Sequence, residues 1–235
     1  MVDSVEFVGW CGSVGSGAKL LNPGEISTPY TPDRSSPGFI ALTESASTPR
    51  LRATFAIYIA LVAATAVVGP GSMPAPAYYL SGALGLVFVV LACLGRIWAS
   101  VFIAGHKDVE LVTNGPYARC RHPLYACSIL AAIGLGLTTR SLLLCGIVVV
   151  LISALVVYAA SCEEQFLADA FPEEFKAYVA ATPNMWWPGR RRTPLPEHID
   201  VHPGVYWKAF LDAGSFFALY VLVAVAAEYR LLPAF

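Results

Sequence analysis

At 235 residues the chain is long enough for one sizeable core, yet 57% of it is hydrophobic and only 13% is charged. Soluble domains average about 25% charged residues, so composition excludes an ordinary water-soluble protein and places the chain in a bilayer. The formal net charge of −1 supplies no basic surface for a nucleic acid, and no nucleic-acid partner is expected.

Residues 1–50 are rich in Gly, Ser, Thr and Pro and lack a basic stretch followed by an apolar one. They are expected to form a flexible cytoplasmic arm, neither a signal peptide nor a folded domain. Apolar runs at 53–68 and 78–104 follow, joined by "GPGSMPAPA", whose Gly and Pro make a turn; Arg96 is the one charge within the second run. The runs 124–139 and 142–162 flank a tight "TRS" connection, and a last run, 213–227, comes after a long polar stretch. A spanning helix needs roughly 17 to 25 residues, so the third and fifth runs must draw on flanking residues or thin the bilayer locally. The expectation is an all-α polytopic membrane protein with about five transmembrane helices. Its parts are the arm (1–50), a membrane core (51–188) and a basic interfacial segment with a C-terminal transmembrane helix (189–235).

Basic residues set the expected orientation. With the N-terminus cytoplasmic, the inner segments hold Arg50, Arg52, Lys107, Arg119, Arg121, Lys176, Arg190, Arg191, Arg192 and Lys208, and the outer side keeps Arg140 and Arg230. A multi-pass protein of a bacterial inner membrane is expected, with "GRRR" (189–192) resting on anionic lipid headgroups. The six cysteines, Cys11, Cys93, Cys120, Cys127, Cys145 and Cys162, have no CxxC pair or regular spacing and read as reduced thiols. His198 and His202 bracket Asp200 but match no zinc pattern, and Pro203 limits a helix there, so no metal site is expected.

The stretch "YARCRHPLY" (117–125) crowds polar residues at the start of the third run. Pro123 suits the first position of a helix, and the free amides of the turn after it make an end where an anion can sit. The fourth run returns from its outer turn to finish at Glu163 and Glu164, on the same side as His122. His122 and Tyr125 share a face, whereas the two glutamates differ by about 100° around their helix, so one should point into the hairpin and the other towards water or a basic loop residue. Arg96 is costly in lipid and should face the bundle interior, with Glu163 or a ligand carboxylate as partner. A helix end for anions, a carboxylate and two tyrosines suit a zwitterionic, cationic, partly aromatic ligand such as S-adenosylmethionine.

"ELVTNGPYARCRHPLYACSIL" and, about forty residues on, "CEEQFLADAFPEEFKAYVAATP" resemble the isoprenylcysteine carboxyl methyltransferase and phospholipid methyltransferase superfamily of integral membrane enzymes. The resemblance covers roughly residues 95–188, and the paired motifs are more specific than either alone. It implies S-adenosylmethionine-dependent methyl transfer to a lipophilic acceptor at the cytoplasmic face. The cofactor contacts it implies are Val109, Glu110, Leu111, Val112, Tyr117, His122, Pro123, Leu124, Tyr125 and Glu163; the catalytic candidates are His122, Glu163, Glu164 and Arg96. The chain departs from the family's pattern at Pro172, Phe175, Ala126 and Cys127. Ala159 stands where isoprenylcysteine enzymes look to have an arginine for the substrate carboxylate. Two other readings stay open. One is a sterol-type NADPH-dependent membrane reductase, whose similar element usually carries Asn where this chain has Leu124. The other is a non-catalytic membrane protein that retains the fold.

Overall fold

The computed structural model describes residues 37–68, 74–103, 111–185 and 203–229. Of the segments singled out above, Val109, Glu110, "GRRR", His198 and His202 lie outside them. Among these residues six α-helices follow in order: α1 (Pro37–Val67), α2 (Ala75–Ile103), α3 (Pro123–Thr138), α4 (Leu142–Ala170), α5 (Pro172–Ala181) and α6 (Pro203–Tyr229), with a 3-10 turn at Gly115–Ala118 before α3. There is no strand among the described residues. The chain divides after Phe55, and the packing below concerns the part from Ala56 onward.

The protein is an all-helical membrane protein. Segments of α2, α4 and α6 are long and apolar enough to cross a bilayer, and Arg52–Val67 and Pro123–Thr138 are shorter apolar helices. These correspond to the runs expected from sequence. The first and last helices are longer than expected, because α1 begins at Pro37 and α6 at Pro203. Proline starts a helix readily, since its missing N–H would lack an intrahelical partner there in any case. The part of the arm from Pro37 to Arg50 is therefore helical.

With 16 residues, α3 is about 24 Å long, short of a hydrocarbon core of about 30 Å. Its position compensates for this: α3 packs against α2, α4 and α6, and Ala131, Ala132 and Leu135 are fully buried. The ends of a helix enclosed by other helices meet protein groups instead of lipid. The backbones of α2 and α3 touch. A Cβ on Gly85 would lie 2.7 Å from Gly134 O, and one on Gly134 2.7 Å from Gly85 O, a crossing that only small residues permit.

Beyond the other end of α3, Arg140 turns the chain with φ 58, a left-handed conformation that costs a non-glycine residue energy. Its guanidinium repays part of this by donating to Thr138 O (2.8 Å), pairing with Glu228 of α6 (3.1 Å) and lying over the Tyr78 ring of α2 (4.3 Å). Ser141 then caps α4, accepting from the Leu144 amide. Cys93, Cys120, Cys127 and Cys145 are free thiols, whereas Cys162 is disulfide-bonded, which corrects the reading of all six as reduced.

Candidate functional site

His122 occupies the N-cap position of α3, but its side chain makes no capping hydrogen bond. The imidazole reaches across to α4 instead. Its Nε2 lies 2.8 Å from Glu164 Oε1, and its Nδ1 lies 3.9 Å from Glu163 Oε2. A carboxylate only accepts, so the Glu164 contact places a proton on Nε2. Arg121 Nη1 pairs with the same Glu164 oxygen at 2.9 Å. Both glutamates thus approach the imidazole, and the basic loop residue expected for one of them is Arg121. Among the described residues Glu163 has no hydrogen-bond partner. Tyr125, one turn along α3, stacks on His122 with centroids 5.6 Å apart and planes at 27°.

The loop before α3 is held from the other side of the site. The Tyr178 hydroxyl in α5 donates to Tyr117 O at 2.7 Å, and the Arg121 amide donates to Pro183 O at 3.1 Å. Helix α5 buries Phe175 and Tyr178 and keeps Glu173 and Glu174 in its first turn, where carboxylates complement the helix dipole. Tyr117 is buried, yet its hydroxyl has no hydrogen-bond partner among the described residues. Burial, reinforced by the Glu163 carboxylate, pushes its phenol above the ordinary range. Burial also raises the Tyr178 phenol and the Cys120 thiol. At neutral pH the Tyr117 phenol therefore keeps its proton and serves as a hydrogen-bond donor, not a base.

Arg96 departs from expectation. It pairs with Asp212 of α6, with Nη2 at 2.6 Å and Nε at 2.7 Å from the same oxygen, rather than with Glu163. Its remaining nitrogen, Nη1, donates to Leu124 O (3.2 Å) and Ser128 Oγ (3.0 Å). The half-buried guanidinium takes the acid that α6 brings beside it, and Glu163 belongs to the α4 tail around His122.

A family model for phospholipid methyltransferases matches residues 79–174. The nickel-cobalt-cadmium resistance protein NccN of Alcaligenes xylosoxydans xylosoxydans is 32% identical over 67% of this chain and 76% of its own length. The chain belongs to the phospholipid methyltransferase family. It is also 43% identical to the cobalt-zinc-cadmium resistance protein CzcN of Cupriavidus metallidurans, over 43% of this chain and 46% of that protein, so the match spans about half of that relative. No solved structure matches the chain.

As a member of the phospholipid methyltransferase family, the chain is a methyltransferase-class membrane protein. The helices bring His122, Tyr125, Glu163 and Glu164 together. Pro123 is buried at the start of α3, and Leu124 gives its carbonyl to Arg96. Leu111 and Val112 are half-buried ahead of the 3-10 turn. Ala159 is buried in α4. Sequence reasoning passed over Arg121, Tyr178 and Asp212. Arg121 lay inside the quoted motif, and Asp212 directly precedes the last apolar run; an acid at that place is the natural counterpart of an arginine near the end of another span.

Proposed function

We propose that this chain is an integral membrane S-adenosylmethionine-dependent methyltransferase acting on a lipophilic small molecule or lipid-linked acceptor. The observation that carries the reading is the convergence of His122, Glu163 and Glu164 at the start of α3 together with the buried hydroxyl of Tyr117, which no described residue accepts. A buried donor without an acceptor is costly unless a ligand supplies one, so the residues present fit a polar ligand. The start of α3 has no side-chain cap, so the positive end of the helix is turned towards a carboxylate. Glu163 is open to an ammonium or to hydroxyls, and the Tyr125 face suits a cation.

When bound, S-adenosylmethionine supplies a methyl group on a sulfonium, ready for in-line displacement. The chain's part is to orient the reactants and exclude water. Arg121 and Glu164 fix the His122 ring. An acceptor that is already anionic needs no base. For an amine, thiol or hydroxyl, His122 or Glu164 takes the proton. Buried Ala159 offers no charge to an acceptor carboxylate, which argues against an isoprenylcysteine. We place the site at the cytoplasmic face of a bacterial inner membrane on the distribution of Lys and Arg. The names of the two relatives further suggest a role in a metal-resistance system, with methylation of a membrane component as the contribution.

The test is binding of tritiated S-adenosylmethionine to detergent-solubilised protein, compared with the His122→Ala and Glu163→Ala variants. Saturable binding lost in both variants is expected. Binding of NADPH in place of S-adenosylmethionine would favour a reductase, and binding of neither a non-catalytic protein.

A further inference from the structure

An arginine within a membrane span must find a counter-charge and acceptors for its remaining N–H groups. Arg96 finds them on two different helices. One edge of its guanidinium, Nε and Nη2, lies on Asp212 Oδ2 of α6 at 2.7 and 2.6 Å. Its other nitrogen, Nη1, donates to Leu124 O and Ser128 Oγ in the opening turns of α3. Ser128 Oγ itself donates to Leu124 O at 3.1 Å, so hydroxyl and guanidinium converge on the peptide that joins Leu124 to Tyr125. Below the guanidinium lies the Phe216 ring at 5.4 Å, which Tyr58 of α1 meets edge-on at 6.3 Å. The Arg96 side chain is 19% exposed and that of Asp212 47%. The carboxylate therefore stands at the outer edge of the cluster and the guanidinium inside.

An ion pair that served only to neutralise Arg96 would need nothing from α3. Here the guanidinium is a planar fork whose orientation is set by the acid on one side and used on the other. The turn it grips carries Tyr125, which stacks on His122, and it begins at Pro123, next to the N-cap imidazole. We infer that Asp212 is a positioning residue of the donor site, acting through Arg96 on the first turn of α3. The last helix, which carries none of the family's motif residues, thereby sets the geometry of the end of α3 on which the ligand-facing groups stand. This rests on the reading of that end as the S-adenosylmethionine site.

A charge swap separates positioning from plain neutralisation. In the double variant Arg96→Asp with Asp212→Arg, the ion pair and its hold on α6 are rebuilt, but the donors to Leu124 O and Ser128 Oγ are gone. Full-length wild type, Asp212→Asn, Arg96→Lys and the double variant are to be compared for tritiated S-adenosylmethionine affinity, thermal unfolding in detergent, and amide exchange over residues 124–130. Asp212→Asn and Arg96→Lys are expected to weaken binding about tenfold. The double variant should recover thermal stability while its binding stays weak and its exchange fast. Recovery of affinity and exchange protection together with stability, or wild-type behaviour of Asp212→Asn, overturns the inference. If wild type itself binds no S-adenosylmethionine, the donor-site reading fails separately. Exchange over 124–130 then decides the coupling alone, and unchanged rates in Asp212→Asn refute it.

Discussion

Glu164 Oε1 stands 2.8 Å from Nε2 of His122 and 2.9 Å from Arg121 Nη1, so a single carboxylate oxygen fastens the start of α3 to the tail of α4. Glu163, its neighbour, touches the same imidazole only at 3.9 Å. The two acids therefore have separable duties, one holding the ring and the other facing the space beside it.

Replacing Glu164 by Gln should leave Arg121 and His122 without their shared acceptor charge. Charge-assisted hydrogen bonds of this kind contribute about 1.5–3 kcal/mol, so both thermal stability and S-adenosylmethionine affinity should fall. Glu163→Gln should lower affinity with little change in unfolding temperature, since among the described residues that carboxylate accepts no hydrogen bond. Parallel thermal and binding measurements on the two variants check the division. Equal loss of stability in both would contradict it.

Tyr117→Phe removes a hydroxyl that no described residue accepts. The ligand-free protein should be as stable as wild type or slightly more so, because a buried unsatisfied donor is lost. Binding should weaken by about 0.5–1.5 kcal/mol, the net worth of one neutral hydrogen bond. A drop in ligand-free stability would show that the phenol already has a partner.

The raised phenols of Tyr117 and Tyr178 make an alkaline limit. Each holds its proton more tightly folded than unfolded, so above the ordinary tyrosine value of 10.0 the folded state binds more protons and stability falls as pH rises. Below that value their contribution is complete. Unfolding temperatures measured between neutral pH and pH about 11 should decline at the alkaline end, and Tyr178→Phe should flatten the decline. Because it also removes the bond to Tyr117 O, that variant should lose about 1 kcal/mol at neutral pH.

Gly85→Ala and Gly134→Ala should each destabilise the bundle by about 1–3 kcal/mol, because the new methyl meets backbone that cannot swing aside. Gly146→Ala, in α4 with nothing within 4 Å of the added carbon, should be neutral or stabilising through helix propensity. Thermal unfolding of the three variants in one detergent tests the contrast.

The sequence made the spans and the chemistry at the start of α3 legible for definite reasons. Long apolar runs need no tertiary information, and His122, Pro123 and the paired glutamates fall at the ends of two consecutive runs, so a short turn forces them together. What was hidden depended on packing. The partner of Arg96 sits 116 residues away, and the expectation of Glu163 or a ligand carboxylate passed over Asp212 because only the packing of α6 on α2 brings it near. Lys208 and Asp212 interrupt apolarity without interrupting a helix, so α6 begins well before its hydrophobic stretch. Helix α5 was missed because ten residues of mixed polarity carry little periodic signal; its buried Phe175 and Tyr178 gain meaning only against the loop they clamp.

Arg140 has a bearing on how the protein is made. This cation is the tip of the α3–α4 hairpin, yet its carboxylate mate, Glu228, is translated only later, with α6. Until then its charge is uncompensated by that acid, so the nascent hairpin lacks one of the contacts that hold it. Maturation of the bundle thus waits on arrival of α6, and truncating the chain before Glu228 should yield an intermediate prone to quality-control degradation rather than a smaller stable protein.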